Sequence, residues 1–136
     1  MSKLLLEIIT PEAKTYSQEV DSVVMPTAEG EVQILPGHVP LMTLVEPGEL
    51  HVINGSTHEY LAVGTGAAQI TGIRVAVMTD MAVKESDIDI GKAEEAIRRA
   101  QEALKAKDVG GDSEKALQAT IMRMTAQIQV RRRRQM

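Results

Sequence analysis

The chain contains no cysteine, no tryptophan and no phenylalanine, and Tyr16 and Tyr60 are its only aromatic residues apart from histidine. The absence of cysteine excludes disulfides and thiolate chemistry, a composition that fits a reducing compartment. The scarcity of aromatic rings leaves core packing to Val, Ile, Leu, Ala and the eight methionines. No apolar run approaches the ~20 residues needed to span a bilayer. The opening MSKLLLEIITPE has one lysine and a short apolar run, but acids follow and no small-residue cleavage site does. Leu4 to Thr10 therefore reads as a strand, and no signal peptide is expected.

What is present suffices for a core. The 136 residues are 43% hydrophobic, too apolar for a disordered chain and enough for one domain, or a small domain with an appendage. The formal net charge of −4 hides an asymmetry. Up to Ser86 there are four basic against eleven acidic side chains; from Asp87 onward there are eleven basic against eight acidic. An acidic front and a basic rear suggest two parts with different partners.

The front part reads as β throughout. Short Val/Ile/Leu-rich runs are punctuated by Thr10-Pro11, Glu29-Gly30, Pro36-Gly37, Pro47-Gly48, Asn54-Gly55, Gly64-Thr65-Gly66 and Thr71-Gly72. That spacing predicts a sandwich or barrel of about ten strands over residues 1–85. The expected strands are Lys3–Thr10, Lys14–Ser17, Glu19–Pro26, Glu31–Leu35, Leu41–Val45, Glu49–Ile53, Thr57–Val63, Ala67–Ile70, Arg74–Thr79 and Ala82–Lys84. Within this region the stretch from Glu29 to Leu41 stands out. Pro36 lacks an amide donor, Gly37 tolerates positive φ and Pro40 breaks the run again, so a stiff turn carrying His38 follows the strand. A stiff exposed loop suits a contact surface.

Asn54-Gly55 reads as a two-residue hairpin loop that pairs Ile53 with Ser56 and sets His51 opposite His58, with Glu49 on the same face. Two imidazoles and a carboxylate are a conceivable zinc set, but exposed polar residues on a hairpin are the favoured reading. No metal site is assigned. Nor is a catalytic one. Ser17, Ser22 and Ser56 sit in no nucleophile elbow, and Gly64-Thr65-Gly66 is too short for a phosphate loop and precedes a strand where a helix should follow. Glu29 and Glu31 flank a surface turn, whereas paired acid–base carboxylates are usually buried.

From Ser86 the period changes. Ser86-Asp87-Ile88-Asp89 offers several N-caps, and Ala93, Ala96, Ile97, Ala100, Ala103 and Leu104 form one helical stripe in a run to about Lys107. Asp108-Val109-Gly110-Gly111-Asp112 breaks it. Asp112 or Ser113 then caps a second helix with the stripe Leu117, Ile121, Met124 and Ile128, ending in Arg131, Arg132, Arg133 and Arg134. Two helices with a short loop predict an antiparallel hairpin over residues 86–136. Its alanine-rich seam buries little area, so weak attachment to the β domain is expected. The arginines read either as a solvated terminus or as a basic helix end that meets an acidic segment of a partner. No interleaved aromatics support nucleic-acid binding.

Along essentially its whole length the sequence resembles the epsilon subunit of F-type ATP synthases, the counterpart of the mitochondrial delta subunit. The resemblance is carried by Val23-Val24-Met25-Pro26, Glu29-Gly30-Glu31, Ile34-Leu35-Pro36-Gly37-His38-Val39-Pro40-Leu41, Thr43 and Pro47-Gly48-Glu49. Val63-Gly64-Thr65-Gly66, the Val75–Thr79 strand and Asp87-Ile88-Asp89 with Ala93 follow at matching distances. It implies a β sandwich that binds the gamma subunit and rests on the membrane c-ring, with Glu29, Glu31, Pro36, Gly37, His38 and Leu41 at that rotor contact. It also implies a non-catalytic role in coupling proton translocation to ATP synthesis. The location implied is peripheral, on the cytoplasmic face of a bacterial inner membrane rather than a plastid thylakoid, with membrane contact only through the complex.

In such proteins the helical hairpin folds against the sandwich or extends into the alpha/beta catalytic head and inhibits hydrolysis; Arg123 and Arg131 to Arg134 are this chain's candidates for that contact. Some relatives bind ATP through an Ile/Leu-Asp-x-x-Arg-Ala motif. Here Asp89 and Ala93 match, Lys92 replaces the arginine, and Arg99 and Arg123 stand where supporting arginines would. Lysine lacks the planar donor fork, and Gly91 weakens the helix at that turn, so ATP is expected at most as a weak regulatory ligand and no other cofactor is expected. The alternative from another class is a free-standing β-sandwich ligand-binding module with a helical oligomerisation tail. An exposed apolar patch on one sandwich face and co-purification with a gamma-like partner would separate the two.

Overall fold

The computed structural model describes residues 3–106 and 110–135. Ten strands are followed by two helices. The strands are β1 (Leu4–Ile9), β2 (Lys14–Val20), β3 (Ser22–Thr27), β4 (Gly30–Ile34), β5 (Leu41–Val45), β6 (Gly48–Asn54), β7 (Thr57–Val63), β8 (Gly66–Ile70), β9 (Arg74–Thr79) and β10 (Ala82–Lys84). A 3-10 turn at Glu85–Asp87 leads to α1 (Ile90–Leu104) and α2 (Gly111–Gln135). The β sandwich followed by a helical pair is the fold class that the sequence predicts.

The strands form one continuous hydrogen-bonded path, β10-β7-β6-β3-β5-β8-β9-β1-β2, with β4 attached to β3. The β1–β9 pair is parallel and the other pairs are antiparallel. The path folds over on itself, so that Leu4, Leu6, Ile8, Val75 and Val77 from one half meet Val23, Met25, Leu50, Val52 and Leu61 from the other in one core. Alternation decides which residues enter it. In β6, Leu50 and Val52 are buried, while Glu49 and His51 lie on the outer face.

Two expectations along the strands are corrected. β2 continues through Gln18 to Val20, because Gln18 pairs with Leu6 and Ser17 with Glu7; the chain turns at Asp21 instead. The β6–β7 register is also different. Asn54 pairs with Thr57 and Ile53 with His58, so the loop is Gly55-Ser56 and His51 lies opposite Tyr60, not His58. Within this loop Gly55 takes positive φ, +64°, and its N–H donates to Asp21 Oδ2 at 2.5 Å. Asn54 stays in the strand because its side chain is occupied: its Oδ1 accepts from Lys3 Nζ at 2.6 Å, and its Nδ2 donates to the Glu19 carbonyl.

α1 begins at one of the expected caps, whereas its end and the start of α2 differ from expectation. Asp89 is the cap of α1, accepting the Lys92 N–H at 3.1 Å, and α1 stops at Leu104. The expected break at Asp108–Val109 lies outside the described residues. α2 already begins at Gly111, so Asp112 and Ser113 lie inside its first turn rather than capping it. The best-buried residues of α2 are Ala126 and Val130, at 3% and 2% exposure, while Leu117, Ile121, Met124 and Ile128 are half-buried. The reason is geometric. α2 has two neighbours, α1 along one side and the outer faces of β6 and β7 along another, so its apolar residues are divided between two stripes.

Candidate functional site

The segment Glu29–Leu41 forms two features rather than one. At the first, Thr27 Oγ1 donates to the Gly30 carbonyl at 2.6 Å and accepts the Glu29 N–H at 3.2 Å. Gly30, at φ +107°, closes this tight turn and leaves Glu29 and Glu31 exposed. Glu46 is exposed on the adjoining end of β5, where its N–H donates to the Pro26 carbonyl at 3.0 Å. This end of the sandwich is acidic.

The second feature lies at the opposite end of β4. Leu35-Pro36-Gly37-His38 is a tight turn closed by the His38 N–H donating to the Leu35 carbonyl at 3.1 Å, with Gly37 at φ +86°. Proline followed by a positive-φ glycine is what a type II turn demands. The Gly37 N–H donates to the Gly72 carbonyl at 2.8 Å, which ties this turn to the β8–β9 turn. Leu35, Val39 and Ile73 are 54%, 73% and 75% exposed, so this end is apolar. His38 is half-buried and its Nδ1 lies 2.7 Å from the Val39 carbonyl, which orients the ring. The five-residue β4 places the two ends roughly 13 Å apart by the rise of an extended strand.

Between them runs a surface that motif reading missed. Leu44 pairs with Ala67, Ala67 with Met78, and Met78 with Ile9, so these side chains form a row across β5, β8, β9 and β1 on the face away from the core. Leu44 and Met78 are 64% and 46% exposed, and Met42, two residues from Leu44 on the same face, is 68% exposed. The signal was available in the sequence: β5 reads LMTLV, apolar at positions that alternate to both faces. Leu41 sits instead on the core-side face, opposite Ile70, at the open end of the sandwich.

The outer face of the other half of the sheet is covered by α2. Ala126 and Val130 pack on Ala62, Met81 and Ile88. Ion pairs surround this small cluster. Arg123 donates to Asp80 Oδ2 at 3.2 Å, Arg131 to the Glu85 side chain at 2.9 Å and its carbonyl at 3.1 Å, and Arg134 to Glu49 at 2.8 Å. Arg133 also lies 3.5 Å from Glu49, and Arg132 reaches Glu94 of α1 at 3.4 Å. Arg131 and Arg134 are therefore partly buried against the sandwich, while Arg132 and Arg133 remain exposed to solvent. The basic rear of the chain docks on its own acidic front, and charge pairing supplements the weak apolar attachment that the sequence predicts.

The candidate nucleotide residues are engaged elsewhere. Asp89 caps α1, Ala93 is buried, Arg99 pairs with Glu95 at 3.1 Å, and Arg123 holds Asp80. The Lys92 side chain is exposed. Two arginines contend for Glu95: hydrogen bonding and charge from Arg98, followed by Arg99, hold its carboxyl below the usual range. Among the described residues no group of three or more His, Cys, Asp or Glu side chains is placed to hold a metal ion, and no helix is long and apolar enough to cross a membrane.

Residues 3–85 match the family described as ATP synthase, Delta/Epsilon chain, beta-sandwich domain, and residues 86–131 match ATP synthase, Delta/Epsilon chain, long alpha-helix domain. The chain belongs to the ATP synthase delta/epsilon family. Similar members include an ATP synthase epsilon chain of Dehalococcoides mccartyi, 39% identical over 134 residues, covering 98% of this chain and 96% of the relative. Another, from Herpetosiphon aurantiacus, is 37% identical over 133 residues, with 96% and 97% covered. Among solved structures, a chain of the Euglena gracilis mitochondrial ATP synthase, OSCP/F1/c-ring, superposes with a TM-score of 0.73 at 20% identity, covering 93% of this chain and 79% of that one. A chain of the Tetrahymena thermophila mitochondrial ATP synthase central stalk/c-ring superposes at 0.62 with 10% identity, covering 99% and 98%. At those identities the likeness is one of fold, and it extends over both parts of this delta/epsilon chain.

Proposed function

We propose that the chain is a non-catalytic rotor subunit of a bacterial F-type ATP synthase, joining gamma and the c-ring in the central stalk so that proton translocation is coupled to ATP synthesis. The observation that carries this reading is the exposed row of Leu44, Ala67, Met78 and Ile9 with Met42 beside it. An apolar strip on a sheet face, left open where the opposite face is covered by the chain's own helix, suits a permanent protein partner. We assign this strip, with the apolar end at Leu35, Pro36, Gly37, His38, Val39 and Leu41, to gamma. The acidic turn of Glu29 and Glu31 is assigned to the polar surface of the c-ring. Membrane contact then comes only through the complex, on the cytoplasmic face.

The helical pair is the regulatory part in this reading. Docked, it holds Arg123, Arg131, Arg133 and Arg134 against Asp80, Glu85 and Glu49 and Arg132 against Glu94 of α1; released, it offers them to an acidic segment of the alpha/beta head and restrains hydrolysis. ATP enters only as a weak ligand of Asp89, Lys92, Ala93, Arg99 and Arg123, since reaching them together requires leaving the partners they hold here. Deleting residues 87–136 and measuring ATP hydrolysis by the assembled complex tests the regulatory role. A rise in hydrolysis with synthesis retained is expected; unchanged hydrolysis removes the inhibitory role. Loss of gamma binding on disrupting the apolar strip tests the stalk role separately.

A further inference from the structure

The last turn of α2 is seated on an unusual group of side chains. On the outer face of β6 and β7, His51 Nε2 lies 2.8 Å from His58 Nδ1, so one imidazole N–H donates to the other ring's lone pair. The His51 ring stacks on Tyr60, with centroids 4.4 Å apart and planes 20° from parallel. The Arg134 guanidinium lies 3.8 Å from the centroid of the same Tyr60 ring. Arg134 is also held by Glu49, two residues from His51 along β6 and on the same face, at 2.8 and 3.1 Å. A histidine pair, a ring and a carboxylate thus meet the helix end at one point.

The electrostatic balance there depends on the histidines being neutral. Glu49, with its side chain only 9% exposed, already serves both Arg133 and Arg134. Glu31 of β4 acts on His51 from across β3. Beyond His58 lie Glu59 of β7, Lys84 of β10 and Glu85; Glu59 is shared with Tyr16 and Lys84, and Glu85 holds Arg131. A proton added to the pair places a third cation beside Glu49 and near Arg134. Its first proton need not break the imidazole–imidazole hydrogen bond, so the effect on the helix is one of charge. The second removes the acceptor lone pair and breaks the bond as well.

We propose that the His51–His58 pair is a proton-operated latch for the C-terminal helix: neutral, it seats the last turn of α2 through Tyr60, Glu49 and Arg134, and protonated, it releases that turn. This deepens the reading of the helical pair as a movable element. Burial, the adjacent His58 and the Arg134 charge pull the His51 imidazole below its ordinary value of 6.5, outweighing Glu49 and Glu31, which act in the opposite direction. The sign follows from linkage. The docked state disfavours the charged ring, so its stabilisation is complete above the ordinary histidine value and is lost as pH falls below it. Acidification at this surface therefore frees the arginines.

The lack of native cysteine permits a direct test on the full chain. Spin labels at Ser56→Cys and Gln129→Cys, both exposed positions, report the distance between the β6–β7 loop and α2. The ratio of docked to released chains should fall about threefold between pH 8 and pH 5, the size of one partly screened charge interaction. The same pair of labels in H51Q/H58Q should show no such fall. As a second measurement, the NMR titration midpoint of His51 should lie higher in R133Q/R134Q than in the parent chain, because coupling between proton and helix is reciprocal. Coincident midpoints, or an undiminished pH response in H51Q/H58Q, would overturn the proposal. Deletion of residues 87–136 reports on hydrolysis whatever the latch does, so the two readings fail separately.

Discussion

Arg134 and Glu49 are 85 residues apart in the chain, yet one guanidinium nitrogen of Arg134 donates to both carboxylate oxygens of Glu49, at 2.8 and 3.1 Å. This pair fixes where α2 ends on the sandwich, and Arg133 adds a second cation to the same carboxylate. Substituting Glu49→Gln removes the charge while keeping the shape. Docking should weaken by about 1 kcal/mol, the upper range for a partly exposed pair, with amide exchange in the last turns of α2 rising roughly fivefold. Salt should mimic the substitution, since screening falls to about 3 Å at 1 M. Equal exchange in parent and variant at low salt would show that the apolar contacts of Ala126 and Val130 suffice alone.

Tyr16 provides a test of pH dependence at the other extreme. Its ring is buried and its hydroxyl donates to Glu59 Oε1 at 2.8 Å. Burial, then the hydrogen bond and the charge of Glu59, push its ionisation well above the ordinary range. A group protonated more tightly in the folded state contributes stability that is complete below the unfolded value, about 10, and is lost as pH rises beyond it. Unfolding by urea at pH 8 should show Tyr16→Phe less stable by about 1 kcal/mol. From pH 10 upward the parent should lose stability faster than the variant, and the difference should shrink.

The two glycines of Gly64-Thr65-Gly66 should respond differently to the same substitution. A Cβ on Gly66 would lie 1.9 Å from the Met78 carbonyl oxygen and 2.8 Å from Thr79 Cα, atoms that cannot move without parting β8 from β9. One on Gly64 would lie 1.9 Å from Asp80 Oδ1, the end of a side chain. Gly66→Ala should cost several kcal/mol or prevent folding, at the high end of single substitutions. Gly64→Ala should leave the sandwich folded but displace Asp80 from Arg123. Urea melts and the exchange rate of α2 separate these outcomes.

The exposed strip predicts a partner-specific loss. Leu44→Glu and Met78→Glu place charges on the outer face of β5 and β9 and leave the core residues Val45 and Val77 untouched. The isolated variants should melt within a few degrees of the parent, while co-purification with gamma should fall at least tenfold. Tenfold corresponds to about 1.4 kcal/mol, less than the cost of burying one unpaired charge. Retained gamma binding in both variants would return the strip to ordinary surface.

The fold was largely legible because its signals are local. Glycine and proline pairs mark the turns, alternation marks the strands, and the change to spacings of three and four after Ser86 marks the helices. The misjudged details arise where a local signal is overridden from a distance. Asn54-Gly55 has the residues of a two-residue loop, but Lys3, Glu19 and Asp21 engage that corner and shift the loop to Gly55-Ser56. Gln18 falls at the break between two expected strands, yet pairing with Leu6 carries β2 through it. Among the site residues, the turn at Pro36-Gly37 was readable from its own composition. The apolar row was signalled only in part, by the LMTLV of β5, because it joins four strands whose order the sequence does not state.

The stiffness of the Pro36–His38 turn, the acidic front, the basic helix end and the order of sandwich then helices were all determined by the sequence itself. Tertiary structure decided which of these meet. It set Glu29 and His38 at opposite ends of one short strand, so that a single motif became two surfaces. It placed Arg123, Arg131 and Arg134 against Asp80, Glu85 and Glu49. It also brought His51 and His58 into contact through a register that the loop residues alone misstate. Propensity and periodicity act over a few residues, whereas an ion pair or a ring stack needs only proximity in space, and proximity is fixed by how the whole sheet closes.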